Sequence, residues 1–117
     1  EAGTREIVVK GRRIDVKKAA GRVARFSFAQ LCEQPLGAED YLAITAEFDT
    51  VFLEGIPRLG YDRRNEAKRL MNLIDVLYEA GAFVVFQADA PPEKLSHGHD
   101  QGVEFERTIS RINEMRS

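Results

Sequence analysis

The stretch Glu66 to Gly81, EAKRLMNLIDVLYEAG, decides the fold. Its apolar residues fall at Ala67, Leu70, Met71, Ile74, Leu77 and Tyr78, the i, i+3, i+4, i+7 spacing of one helix face. Arg64, Lys68, Asn72, Asp75 and Glu79 fall mostly on the other side. Asp62 is the expected N-cap, its carboxylate accepting from first-turn N–H groups, and Gly81 sits where a left-handed residue ends a helix at no steric cost. Two apolar runs flank the helix, Val51-Phe52-Leu53 before it and Phe83-Val84-Val85-Phe86 after it. Together they predict one βαβ unit with a right-handed crossover.

The N-terminal half reads differently. Arg5 to Val9 and Arg12 to Val16 are β-branched runs around Lys10-Gly11, which predicts a tight hairpin. Lys17 to Gly21 reads as a connection. Arg22 to Phe28 alternates with period two, with Ala24, Phe26 and Phe28 on one face, and predicts a third strand. Ser27-Phe28-Ala29-Gln30 has the form of a capping box and opens a short helix through Leu31 and Cys32 that Pro35 stops. Ala38, Glu39 and Asp40 open another helix, with Tyr41, Ile44, Thr45 and Phe48 as its inner stripe.

Thr50 to Leu53 is expected as a buried strand, closed by Gly55-Ile56-Pro57. Beyond Phe86, Gln87 to Pro92 reads as a turn, Pro92 to Leu95 as a single helical turn and Ser96 to Gly102 as a mobile loop. Val103 to Met115 is the last helix, with Phe105, Ile109, Ile112 and Met115 on one face. The order β-β-β-α-α-β-α-β-α predicts an α/β domain: a mixed sheet with an N-terminal antiparallel hairpin and the C-terminal βαβ unit.

At 117 residues, 44% apolar and 31% charged, the chain suffices for one domain with one core. The formal charge of 17 − 19 = −2 gives no field to attract nucleic acid, and no apolar run approaches the roughly 20 residues that span a membrane. No secretory signal opens the chain. Its single cysteine, Cys32, excludes an internal disulfide and fits a reducing compartment. The chain opens EAGTRE without an initiator methionine and stops within a helical pattern at Ser117. A piece of a longer polypeptide is therefore expected.

The residues that can carry chemistry are few. The chain contains no G-x-x-x-x-G-K-[ST] loop to cradle phosphates, no C-x-x-C and no H-E-x-x-H. His97, His99 and Asp100 would offer a metal two imidazoles and a carboxylate, but i, i+2 spacing in a glycine loop fixes no geometry, and they read as loop residues. Cys32 has no histidine near it and ends a short helix, where the dipole raises a thiol pKa, so it reads as structural.

Arg63, Arg64, Lys68 and Arg69 put four cations within two turns at a helix start. They are candidate phosphate or partner contacts, set against a solvated face pairing with Glu66. Arg107 and Arg111 lie one turn apart on the last helix. They are candidates for an arginine finger or sensor, set against surface pairs with Glu104, Glu106 or Glu114.

Several segments resemble the C-terminal region of the ZapE-type, AFG-one-like ATPases, a branch of the AAA+ P-loop proteins. They are FSFAQLCEQPLGAEDYL (Phe26 to Leu42), TVFLEGIP (Thr50 to Pro57), NEAKRLMNLIDVLYE (Asn65 to Glu79), PPEKL (Pro91 to Leu95) and FERTISRINEM (Phe105 to Met115), and the hairpin with its Gly11-Arg12 pair also fits. Where the family tends to have Ala-Arg-Arg-Phe-Ile, this chain reads Ala67-Lys68-Arg69-Leu70-Met71, and Lys68 lacks the bidentate fork of arginine.

The resemblance implies a single-domain C-terminal fragment (1–117) of a longer ATPase that uses ATP and Mg²⁺. The Walker motifs would lie upstream, and the fragment alone would be inactive with no cofactor of its own. It implies interface or lid residues here, Arg69, Arg107, Thr108, Ser110 and Arg111 matching the family's motif. Implied partners are the rest of the parent ATPase, further copies in a homo-oligomer, and a protein client: FtsZ of the bacterial division ring or a respiratory-chain subunit. The implied location is the bacterial cytoplasm or the mitochondrial matrix.

Overall fold

A computed structural model of the chain describes residues 3–9, 11–89, 91 and 102–115. The elements in order are β1 (Gly3–Val9), β2 (Arg12–Ala20), β3 (Val23–Ser27), α1 (Phe28–Cys32), α2 (Ala38–Glu47), β4 (Thr50–Ile56), a 3₁₀ turn (Tyr61–Arg63), α3 (Arg64–Glu79), β5 (Phe83–Ala88) and α4 (Gly102–Met115). The strands form one five-stranded sheet whose spatial order is the chain order, β1-β2-β3-β4-β5. β1–β2 and β2–β3 pair antiparallel; β3–β4 and β4–β5 pair parallel. The expected mixed sheet, with its hairpin and βαβ unit, is present. A second parallel crossover, β3 to β4 through α1 and α2, was not foreseen.

Stepping one strand at a time in one direction, right-handed crossovers lay every helix on the same side. Burial follows that geometry. Ala24 and Phe26 of β3, Val51, Leu53 and Ile56 of β4 and Val84 of β5 are buried, as are Leu70, Leu73, Ile74 and Leu77 of α3 and Tyr41 and Ile44 of α2. Phe26 meets Phe48 edge-to-face at 6.4 Å between ring centroids, tying the sheet to the end of α2.

Four local readings need correction. β2 continues through Lys17 to Ala20 instead of ending at Val16. A register shift between Gly3 and Arg5 sets three residues of β2 against two of β1, so Ile14 and Val16 point inward and then Ala19 does. That parity change hid the end of the strand. Likewise β4 runs to Ile56: a bulge with Gly55 at φ 72° keeps both Leu53 and Ile56 in the core. β5 extends to Ala88, where a turn was expected; Gln87 Oε1 accepts from the bulged Gly55 N–H at 2.9 Å. Asp62 is not the cap of the central helix, since a 3₁₀ turn containing it precedes α3.

The end of α3 is as expected. Gly81 has φ 71°, its N–H reaches Tyr78 O at 3.1 Å, and Ala82 N–H reaches Leu77 O at 3.1 Å. This is the paired bonding of a glycine C-cap. The readings of Pro92 to Leu95 as a helical turn and of the loop beginning at Ser96 lie outside the described residues.

Candidate functional site

The candidate cations at the start of α3 do not converge. Arg63 pairs with Glu33 at 3.3 Å, and Arg69 donates to Cys32 O at 3.0 Å. Both therefore face α1 and the residue that follows it. Arg64 and Lys68 are exposed. α1 is five residues long and leaves its last carbonyls without intrahelical donors. Arg69 supplies one donor and Tyr41 the other, its hydroxyl donating to Leu31 O at 2.8 Å. Burial pushes the Tyr41 phenol pKa up, so the hydroxyl stays a donor.

Cys32 sits within this clasp, fully buried, and burial pushes its thiol from 9.0 up to about 12. A neutral, inaccessible thiol is no nucleophile. Because the folded pKa is the raised one, the thiol's contribution to stability is complete below pH 9.0 and is lost as pH climbs towards about 12. Iodoacetamide at pH 8 is expected to leave Cys32 untouched in the native chain and to alkylate it fully in denaturing urea, as read by mass spectrometry. Labelling of the native chain at the rate of a free thiol would refute the clasp.

The two candidate arginines of α4 occupy different surroundings. Thr108, Ile112 and Met115 are the buried side of the helix, so the inner stripe includes a threonine that the apolar pattern passed over. Arg107 is exposed. Arg111 is held between helices: it bonds Asp75 Oδ1, lies 3.8 Å from Glu79 and stacks over the Tyr78 ring at 4.6 Å. Tyr78 donates to Glu114 at 3.0 Å, and that bond raises its pKa. Arg111 thus joins α4 to α3 across 36 positions of sequence. Its partners lie on α3 and not on its own helix, where spacing placed them.

Periodicity gave no sign of a groove of about 850 Å³ between β2, β3 and α1. Its borders include Arg13, Asp15, Lys18, Arg25, Gln30 and Glu54. Arg25 pairs with Glu54 at 2.9 Å and Arg13 with Glu6 at 3.7 Å, and the Gln30 amide donates to Asp15 O. Such mixed, internally paired charge selects no single ion and offers no reactive group. His97, His99 and Asp100 lie outside the described residues.

The AFG1-like ATPase family matches residues 1–117. The chain belongs to this family. Its similarity reaches across kingdoms: it is 43% identical over 98 residues to lactation elevated protein 1 homolog B of Danio rerio, covering 84% of this chain and 19% of the relative. An uncharacterized protein of Schizosaccharomyces pombe is 32% identical over 139 aligned residues, covering 95% of this chain and 31% of the relative. Cell division protein ZapE of Escherichia coli is 34% identical over 91 residues, covering 78% of this chain and 24% of the relative. The chain thus spans less than a third of each. No solved structure matches it.

A family of ATPases implies use of a nucleotide. No phosphate-cradling glycine-lysine loop is present, and no group of three or more His, Cys, Asp or Glu among the described residues can hold a metal. No helix among them is long and apolar enough to cross a membrane.

Proposed function

We propose that this chain is the C-terminal part of an ATP-hydrolysing AAA+-related protein, to which it contributes interface or lid residues and not the Walker motifs. The observation that carries this reading is the family match along all 117 residues, whose sequence contains no G-x-x-x-x-G-K-[ST] motif. ATP and Mg²⁺ would be held elsewhere in the polypeptide. Arg107, exposed one turn before the arginine that anchors α4, is the candidate to meet a nucleotide-bearing or subunit interface.

Calorimetric titration of Mg-ATP into the 117-residue chain is expected to give no binding heat in the micromolar range, while the full-length polypeptide hydrolyses ATP. Micromolar binding by the chain alone, or a full-length polypeptide without hydrolysis, overturns the reading.

A second reading is a non-catalytic module that holds the ATPase's client. The exposed cations Arg64 and Lys68 on α3 favour it, as does the cell-division name of the ZapE relative. FtsZ or a respiratory-chain subunit would then be the client, and the site a bacterial cytoplasm or mitochondrial matrix.

A further inference from the structure

The sheet has one face free of helices, and its two wings treat that face differently. On the antiparallel wing the outward residues include Glu6, Arg13, Asp15 and Lys18, with Val8 and Ala20 the apolar members among the described side chains of that face. That is the ordinary alternation of an antiparallel sheet with one wet side. On the parallel wing the register sets Val23, Thr50 and Phe83 in one row and Arg25, Phe52 and Val85 in the next.

Val23, Phe83 and Val85 are 39%, 66% and 38% exposed, and Phe52 is half-buried. The charges bordering them are balanced: Arg22 pairs with Asp49 at 3.2 Å, and Arg25 pairs with Glu54 while lying 5.1 Å over the Phe52 ring. The patch is apolar in its middle and electroneutral at its rim.

Parallel strands are ordinarily covered on both faces, which is why they are apolar on both. On their outer face β3, β4 and β5 carry Val23, Phe52, Phe83 and Val85 among Arg25, Ser27, Thr50 and Glu54, yet the one-way progression of their crossovers supplies helices to the inner face only. We propose that the open face of β3–β4–β5 seats a helical layer from the remainder of the same polypeptide, its aliphatic side chains packing over Phe52, Phe83 and Val85.

The occupant follows from three observations. This chain spans 19%, 31% and 24% of relatives it matches, so most of a family member's length lies outside it. Arg22 and Arg25, the arginines that border the patch, are already paired with Asp49 and Glu54, which leaves them little to offer nucleic acid or an anionic surface. The large apolar side chains of this face concentrate on the three strands β3, β4 and β5, whereas Glu6, Arg13, Asp15 and Lys18 make the antiparallel wing mostly charged, matching a layer about as wide as three strands. The proposal rests on reading the chain as part of a longer ATPase.

The test places a single cysteine by Val85→Cys, and separately by Leu42→Cys, in the full-length polypeptide cleared of other reactive thiols. Leu42 is 55% exposed on α2, on the opposite side of the sheet. Maleimide is expected to label the Val85→Cys protein at least about tenfold more slowly than the Leu42→Cys protein, with no dependence on protein concentration. Equal rates overturn the proposal. Protection that vanishes on dilution also overturns it, assigning the face to a second copy. ATP hydrolysis measured on the same proteins separates the two readings: hydrolysis with an unprotected Val85→Cys thiol overturns the docking alone, and a protected thiol without hydrolysis overturns the ATPase reading alone.

Discussion

Phe26→Ala is expected to destabilise the fold by about 3–5 kcal/mol, the range for emptying a buried aromatic site. Phe26 lies in β3, opposite Leu53 of β4, and is 1% exposed. Its ring abuts Phe48 where α2 ends, so its loss opens a void that both the sheet and a helix line. Small domains hold about 5–15 kcal/mol in all, so this change removes a large share. Urea denaturation followed by circular dichroism measures it as a fall in midpoint at constant slope. Phe26→Leu keeps most of the volume and is expected to cost less than about 1.5 kcal/mol. An unchanged midpoint for Phe26→Ala would mean that β3 is not the centre of the core.

The fold was legible in the sequence wherever one period ran unbroken. The stripe of α3 and the alternation of β3 each hold one periodicity from end to end, and both elements stand where expected apart from a residue or two at their limits. Leu73 is buried beside the expected stripe because the inner face of α3, packed against α1, α2 and α4, is broader than the narrow spacing implies. Legibility failed at the bulges. Between Val16 and Ala19 the side-chain parity flips, and alternation ends the strand four residues early, at Val16 instead of Ala20. At Gly55 the same happens in β4. The capping box at Ser27 formed by half: Ser27 Oγ accepts from Gln30 N–H at 3.0 Å, but the Gln30 side chain bonds Asp15 O across the groove. Local sequence showed the donor and not the distant competitor.

The candidate site was legible as a set of residue types and not as contacts. Arg69 at helix spacing reads as part of a charged face, yet it caps α1, 37 positions away. Arg111 appeared beside glutamates of its own helix, yet it faces Asp75 and Tyr78 of α3. Long-range pairing depends on how helices cross, which spacing within one helix does not encode. Cys32 was the exception: placement at a helix end with no histidine near it was enough to mark it as structural, and its burial agrees.

That separation of Arg107 from Arg111 leads to the largest functional effect. In the full-length polypeptide, Arg107→Ala is expected to lower ATP turnover by roughly 10³-fold or more, the scale of losing an arginine that stabilises charge across an interface. Its exposure means that removal empties no packed site, so the melting temperature is expected to stay within about 1 °C. Arg111→Ala reverses the pattern. A stacked guanidinium and two ion pairs to half-exposed or exposed acids are worth about 1–2 kcal/mol together, and their loss loosens α4 from α3. Its turnover therefore falls only as far as α4 shifts Arg107. Arg111→Lys keeps the charge but not the planar stack or fork, so it restores stability in part. Turnover assays and thermal melts on the three variants separate the roles. Unchanged turnover in Arg107→Ala removes Arg107 from the reaction. A turnover loss in Arg111→Ala that exceeds that of Arg107→Ala, at unchanged stability, would exchange the two assignments.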